Sequence, residues 1–327
     1  MIGKVKGMDS LKTNESTNTY IYNYSWTQEE VALCQLERRS IFGVNSDSSI
    51  VFSSIKIDPS RSPFIKERIE VIFSENTIGE LLEKVKGMTP VQSSYKVIVI
   101  NPWGIDKHKR IRYKERRRIE RKFGLAISGN ADLDNPETIF TVIKVEGKWY
   151  FGFYEGNQAL WLLHQQKPHQ YSTALGTRVA RTVANIAAPN PTNLKLIDPC
   201  CGIGTVLVEA LSMGMDIIGS DNNPLVMKGA RENIAHFGLE GQVILRDIRD
   251  VNEKYDSAII DMPYNLCSVI SEEDKLELLE SARSFTKRLV VVTIEPIDSI
   301  LVHAGFEIID RGEVYKGSFT REIVVCE

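Results

Sequence analysis

The 327-residue chain has no apolar run long enough to cross a bilayer, so no membrane-spanning helix and no membrane partner is expected. Residues 1–10 contain lysines with no apolar stretch behind them, so a secretory leader is not expected and the cytoplasm is the default compartment. Cysteine is scarce: Cys34, Cys200, Cys201, Cys267 and Cys326 are odd in number and lack any Cys-x-x-Cys spacing. With histidines scattered as well, neither a disulfide framework nor a metal site is expected. Excess positive charge is also missing: 40 Lys and Arg against 43 Asp and Glu give a net charge of −3. Bulk charge therefore does not advertise nucleic-acid binding, and the distribution of charge has to decide. Internal repeats and low-complexity segments are absent. What remains is a chain of globular composition, long enough for two or three domains.

The most informative stretch runs from Leu194 to Thr205. An apolar run ends at Asp198 and Pro199. Gly202 and Gly204 then permit a tight turn and close approach of backbone to a ligand. Thr205 opens an apolar-periodic helix over 206–213. Strand, glycine turn and helix form the first half of a doubly wound nucleotide-binding unit. A second apolar strand over 216–220 ends at Asp221, roughly 20 residues beyond the glycines, where a carboxylate accepts from ribose hydroxyls. The loop has no Gly-Lys-Ser/Thr ending of a phosphate loop. It carries Asp198 where a pyrophosphate would need donors and no negative charge. A ligand with a positive end fits better, and S-adenosylmethionine has an amino group, a sulfonium, a ribose and no phosphate. Cys200 and Cys201 are expected to pack as small side chains in the turn.

Asp198-Pro-Cys-Cys-Gly-Ile-Gly-Thr205, then Gly219-Ser-Asp-Asn-Asn-Pro224, then Asp261-Met-Pro-Tyr264 resemble the class I amino-methyltransferases. Within that group the sequence is most similar to the THUMP-containing tRNA guanosine N2-methyltransferases. The resemblance covers about residues 165–327 closely and the upstream part more loosely. It implies S-adenosylmethionine as methyl donor, tRNA as substrate with other structured RNA as a further possibility, and a guanosine-10 type of target. Implied cofactor contacts are Asp198, Cys200, Gly202, Gly204, Thr205, Asp221, Asn222, Asp247 and Ile248. Asp247 would accept from the adenine amino group, with Asp250 as a rival.

The remaining chain fits this plan. Strands over 243–245, 257–260, 288–293, 306–310 and 322–326 alternate with helices, which argues for a mostly parallel, seven-stranded α/β sheet with an antiparallel edge hairpin. A Rossmann-like methyltransferase domain is thus expected over 164–327. Upstream, strands over 17–24 and 50–57 flank a helix from Thr27 to about Arg39, giving a small α+β (ferredoxin-like) domain over 1–60. A THUMP-like RNA-binding domain is expected over 61–163, with a helix over 77–85, a strand over 95–100 and a hairpin turning at Glu146-Gly147. The polar segment 164–169, with Pro168, is expected as the linker, and a helix over 171–188 follows it.

Two stretches carry the chemistry. Asp261, Pro263 and Tyr264 follow the fourth strand, on the side where such sheets bind ligands. The lone pair of an exocyclic base amine is delocalised into its ring. Acceptors on its N–H groups favour a pyramidal nitrogen, and Asp261 and a backbone carbonyl beside Pro263 supply two. Tyr264 would stack on a base flipped out of its helix. The resembled group has proline where this chain has Met262. Asn101-Pro102-Trp103 also follows a strand and is a competing form of the motif. Residues 107–122 hold ten Lys or Arg against Glu115 and Glu120. Lys109, Arg110, Arg112, Lys114, Arg116, Arg117, Arg118 and Arg121 are the expected contacts to RNA phosphates. Other readings remain open: methyl transfer to ribosomal RNA or to DNA adenine, and an RNA-binding protein with a relic methyltransferase domain. The sequence does not fix an oligomeric state, the nucleotide modified or the number of methyls added.

Overall fold

The computed structural model describes residues 18–170, 174–262, 271–316 and 319–327. They form two units. One holds the described residues up to Ser25, with Ser48–Ser60 and Phe64–Gln158. The other holds Trp26–Asp47, Arg61–Pro63 and Ala159–Glu327.

In the first unit, β1 (Tyr20–Tyr24) is followed by α1 (Val31–Phe42), which belongs to the second unit. Next come β2 (Ile50–Ser53), β3 (Ile65–Glu75), α2 (Ile78–Lys86), β4 (Val91–Ile100), α3 (Tyr113–Ala126), β5 (Gly129–Ala131), β6 (Thr138–Val145) and β7 (Lys148–Gly156). The strands form one sheet in the order β2-β1-β3-β7-β6-β4-β5. Leu81 and Val85 of α2 and Ile119 and Phe123 of α3 bury against Val97, Val99, Phe140, Val142 and Phe151 of the sheet. Their spacing is the apolar stripe of an amphipathic helix on a half-buried sheet. The turn between β6 and β7 puts Glu146 and Gly147 at φ 49° and 89°, as expected of a tight hairpin.

The second unit continues with α4 (Leu160–His164), α5 (Thr177–Ala187), β8 (Lys195–Asp198), α6 (Thr205–Ser212), β9 (Asp216–Asp221), α7 (Pro224–His236) and β10 (Gln242–Leu245). Then follow β11 (Tyr255–Asp261), α8 (Glu272–Phe285), β12 (Thr286–Thr293), α9 (Asp298–His303), β13 (Ile308–Lys316) and β14 (Phe319–Cys326). The strand order is β10-β9-β8-β11-β12-β14-β13, parallel from β10 to β12 and antiparallel for β14 and β13. This is the expected mostly parallel sheet with an antiparallel edge hairpin. The winding direction reverses between β8 and β11, so the crevice of the sheet opens at their carboxyl ends, beside Asp198 and Asp261.

Three expected boundaries do not match these units. The described residues 18–60 do not form a separate body. β1 lies between β2 and β3, with Ile21 opposite both Phe52 and Ile69, so both early strands belong to the sheet of the first unit. The helix between them packs in the second unit, because it carries polar groups that need partners there. Glu37 of α1 is fully buried and accepts from Asn185 Nδ2 at 2.8 Å and from Ser62 Oγ. Arg39 makes a bidentate pair with Asp310, at 2.8 and 2.7 Å. Finally, 164–169 is no free linker: His164 is buried and its Nδ1 lies 2.8 Å from Glu209 Oε1, while the His169 amide donates to Asn233 at 2.9 Å.

Candidate functional site

A cleft of about 470 Å³ opens where the crevice was expected. Its floor is the β8–α6 turn. Gly202 and Gly204 sit at φ 52° and 76°, in the left-handed region that favours glycine. The turn is laced to the next strand, since the Cys201 amide donates to Ser220 O at 2.9 Å and the Gly202 amide to Asp221 Oδ2 at 2.9 Å. Asp221 Oδ1 accepts from the Asn223 amide at 2.9 Å. Asp221 therefore fixes the loop as well as facing the cleft, and each oxygen keeps a lone pair for a ligand hydroxyl.

All nine expected cofactor contacts except Gly204 line this cleft: Asp198, Cys200, Gly202, Thr205, Asp221, Asn222, Asp247 and Ile248. Gly204 instead turns the chain into α6, packing against Ala230. Asp250 is exposed and is not part of the lining, which leaves Asp247 as the carboxylate of the pair that faces the cleft. Thr205 is 5% exposed, and its Oγ1 is buried with no hydrogen-bond partner among the described residues. Cys200 is no thiolate: burial, followed by the nearby Asp198 carboxylate, pushes its thiol far up.

The cleft is strongly acidic. Among the described residues Asp198, Asp221, Asp247, Asp261, Asp274 and Glu277 line it, with Arg249 as the one cation. Asp198 is 4% exposed, and burial raises its pKa well above the usual carboxylate range, with Asp261 and Asp221 adding to the rise. Asp247 goes the other way. Arg249 and Asn222 donate to it, holding it well below that range. A cationic ligand would relieve the repulsion on the buried side.

Asp261 ends β11. Its Oδ1 is buried without a hydrogen-bond partner among the described residues, and burial lifts its pKa from 3.8 to about 7 against the pull of Arg321. An unpaired buried carboxylate oxygen is costly, and this one lies in the lining of the cleft, open to a ligand donor. Pro263 and Tyr264 lie outside the described residues. The Met262 amide donates to Val292 O at 2.9 Å, adding one rung to the β11–β12 ladder. A proline at 262 could not make that bond, so the departure from the resembled motif has a local structural use. The competing Asn101 is fully engaged elsewhere. Its Nδ2 donates to Ile111 O at 3.1 Å and its Oδ1 accepts from the Ile111 amide at 2.9 Å, closing the basic loop before α3.

Ala174 and Leu175, from the segment expected as the helix over 171–188, line the cleft ahead of α5; sequence reasoning missed Val226 on α7, Arg249, and Asp274, Glu277 and Leu278 on α8. The last three come from a helix expected only as one of those alternating with the strands. Their one signal was the acidic first turn after Ser271, the N-cap, which accepts from the Asp274 amide at 3.0 Å.

In the first unit, α3 starts at Tyr113 with Arg112 as its N-cap, so the basic run is part loop and part helix. Lys109, Arg110, Arg112, Lys114, Arg117, Arg118 and Arg121 are exposed, and Arg116 is partly buried. Arg117 and Arg118 are tied within the helix to Glu120 and Glu115, at 2.9 and 3.0 Å. The side chains of Lys109, Arg110, Arg112, Lys114 and Arg121 have no acidic partner among the described residues. No group of His, Cys, Asp and Glu suited to a metal ion occurs among the described residues. No helix among them is long and apolar enough to cross a membrane.

The chain is similar to known proteins in sequence. The family described as RMKL-like, methyltransferase domain, matches residues 164–292. A tRNA (guanine(10)-N2)-dimethyltransferase of Methanothermobacter thermautotrophicus is 29% identical over 183 residues, covering 51% of this chain and 54% of that one. Another, of Pyrococcus abyssi, is 23% identical over 257 residues, covering 73% of this chain and 76% of that one. This chain thus spans about half the length of the first of these relatives. The crystal structure of TrmN from Thermus thermophilus is 16% identical, with a TM-score of 0.48 over 94% of this chain and 99% of that one. The strand order of the second unit is that of the Rossmann-like class I methyltransferases, and the sequence similar to the methyltransferase domain family falls on the same unit.

Proposed function

We propose that the chain is a cytoplasmic S-adenosylmethionine-dependent RNA methyltransferase that acts on the exocyclic N2 amine of a guanosine in tRNA, of the guanosine-10 type. The observation that carries this reading is the buried Oδ1 of Asp261, without a partner among the described residues, in the same acidic cleft as the glycine turn and Asp221. The similarity to tRNA guanine-N2 methyltransferases supports the choice of amine.

The residues fit the cofactor. Asp221 would hold the ribose and Asp247 the adenine amine. The carboxylates of Asp198 and Asp261 suit its cationic end, and Thr205 Oγ1 offers a free polar contact. When bound, it supplies an electrophilic methyl for an in-line transfer. Asp261 Oδ1 accepts from one N–H of the guanine amine and favours its pyramidal form. The carbonyl beside Pro263 takes the other N–H, and Tyr264 stacks on the flipped base. The amine sheds one proton on methylation, and a carboxylate titrating at about 7 is suited to receive it. Most of the rate comes from positioning. The first unit is read as THUMP-like and RNA-binding, with the 107–122 run meeting tRNA phosphates.

Labelled S-adenosylmethionine offered with separate tRNA, ribosomal RNA and DNA pools tests this. Transfer to tRNA with N2-methylguanosine as product is expected. Label in adenine of DNA, in ribosomal RNA alone, or in none of the pools would replace the reading.

A further inference from the structure

Asp247 is the cleft carboxylate expected to receive the adenine amine, yet it is already saturated. Its Oδ1 accepts from the Arg249 amide at 2.9 Å and from Arg249 Nε at 2.9 Å. Its Oδ2 accepts from Arg249 Nη2 at 3.0 Å and from Asn222 Nδ2 at 2.9 Å. A carboxylate has about four acceptor positions, so no place is left for a ligand donor. The other edge of the guanidinium points elsewhere: Arg249 Nη1 lies 3.3 Å from Glu277 Oε2 on α8. Glu277 and its neighbour one turn back, Asp274, line the same cleft as Asp247. The Arg249 side chain is 56% exposed, so water can take over its N–H groups when the Asp247 contact is given up.

We propose that Arg249 gates adenine recognition: it bridges Asp247 and Glu277, and gives up Asp247 while keeping Glu277 when an exocyclic amine takes its place. The guanidinium is not left unpaired, since Glu277 already holds its other edge. The move also swings a planar cation to the α8 side of the cleft, where it can lie over the purine as a stacking cap. The contact between Asp247 and the amine is therefore partly spent on displacing Arg249. Glu277 lowers that cost by keeping the guanidinium. Three groups then set the weight that the cleft gives to a 6-amino purine, where the motif alone assigns one. The inference rests on the cofactor reading above.

The test is a cycle in which the ligand amine and the protein groups are removed in turn. The full chain is titrated calorimetrically with adenosine and with purine riboside, which lacks only the exocyclic amine. In the wild-type protein the amine should improve affinity by less than about threefold, because most of its gain goes to displacing Arg249. In Arg249→Met the carboxylate is free, and the factor should rise to about tenfold or more, the usual worth of a hydrogen bond to a charged group. In Glu277→Gln the guanidinium loses its second seat and the factor should fall to about one. Both positions are exposed, so neither change threatens folding. The same factor in all three proteins, or a smaller one in Arg249→Met, overturns the gate while leaving the nucleoside site in place. If neither nucleoside nor S-adenosylmethionine binds the wild-type chain, the cofactor reading falls and the gate with it.

Discussion

Asp261→Asn should make the free protein more stable and the enzyme much slower. The stability part follows from the carboxylate itself. Its pKa rises from 3.8 in water to about 7 in the fold, mainly because burial disfavours the charged form. A folded-state pKa above the unfolded one means that the unfolded chain gives up its proton first. The stabilising contribution is complete below about pH 4 and is lost as pH climbs to about 7. Three units at 1.36 kcal/mol each amount to roughly 4 kcal/mol of penalty at and above neutrality. The amide is neutral throughout and nearly isosteric, so it escapes the penalty. Urea unfolding of both proteins should show a gain for Asp261→Asn of about 1 kcal/mol near pH 4.5, growing to roughly 4 kcal/mol near pH 8. Turnover on tRNA should move the other way. In the wild type, kcat/KM should rise with pH through an apparent pKa near 7, since the ionised form is the acceptor. In Asp261→Asn that limb should vanish along with most of the rate, because the amide keeps one acceptor but cannot take the proton. A variant equally or less stable than the wild type at pH 8, or a gain independent of pH, would refute the claim that Asp261 is held at a cost for its ligand.

Asp221→Ala should weaken S-adenosylmethionine binding by at least tenfold in calorimetry, from lost ribose bonds of about 1.5–3 kcal/mol and from the freed Gly202 amide. Unchanged affinity would move the ribose elsewhere. Charge reversal at Arg112, Lys114 and Arg121 should lower the salt slope of tRNA binding by about one per residue. The paired Arg117 and Arg118 should contribute less, and filter binding across a salt series reads the contrast directly. Gly219→Ala should cost about 1–3 kcal/mol of stability, the range of an overpacked core, since the new Cβ would sit 2.4 Å from Leu207 Cδ1 and 3.0 Å from Cys201 Sγ and the leucine would have to shift. Wild-type thermal stability in that variant would mean the β9–α6 packing is looser than described.

The alternating α/β half of the chain was legible because short apolar strands alternate with helices and three of the strands end in aspartate. Asp198, Asp221 and Asp261 end their strands on the same side of the sheet, so order along the chain predicts proximity. That regularity put eight of the nine expected contacts around one cleft. It gave no hint of Asp274 or Glu277, because helix α8 shows its acidic first turn whether it faces a ligand or water. Nor could it show that Asp247 is occupied. Residues two apart, such as Asp247 and Arg249, pair only if the backbone turns between them, and here a short 3-10 turn over Ile248–Asp250 makes that turn.

The early part of the chain misled for a different reason. Contiguity suggested one small domain over 1–60, with the 27–39 helix packed on its own flanking strands. The helix has weak amphipathicity, because Glu37 and Arg38 sit on its buried side beside Leu33, Cys34 and Leu36. A buried carboxylate with no local partner is a statement that the partner lies elsewhere in the sequence. Glu37 finds Asn185 on α5, 148 residues away, and Glu30 takes both arms of Arg178 at 2.7 and 3.0 Å on the same helix. These contacts hold α5, whose leading residues Ala174 and Leu175 line the cleft. The consequence is testable. Glu37→Gln keeps the bonds to Asn185 and Ser62 and removes a carboxylate whose pKa burial lifts to about 7, so it should be tolerated or stabilising above that pH. Arg178→Ala removes a two-armed contact between α5 and Glu30 and should weaken cofactor binding without touching the cofactor. If Arg178→Ala left that affinity unchanged, α1 would be packing for the fold alone, and the wall of the cleft formed by Ala174 and Leu175 would not depend on it.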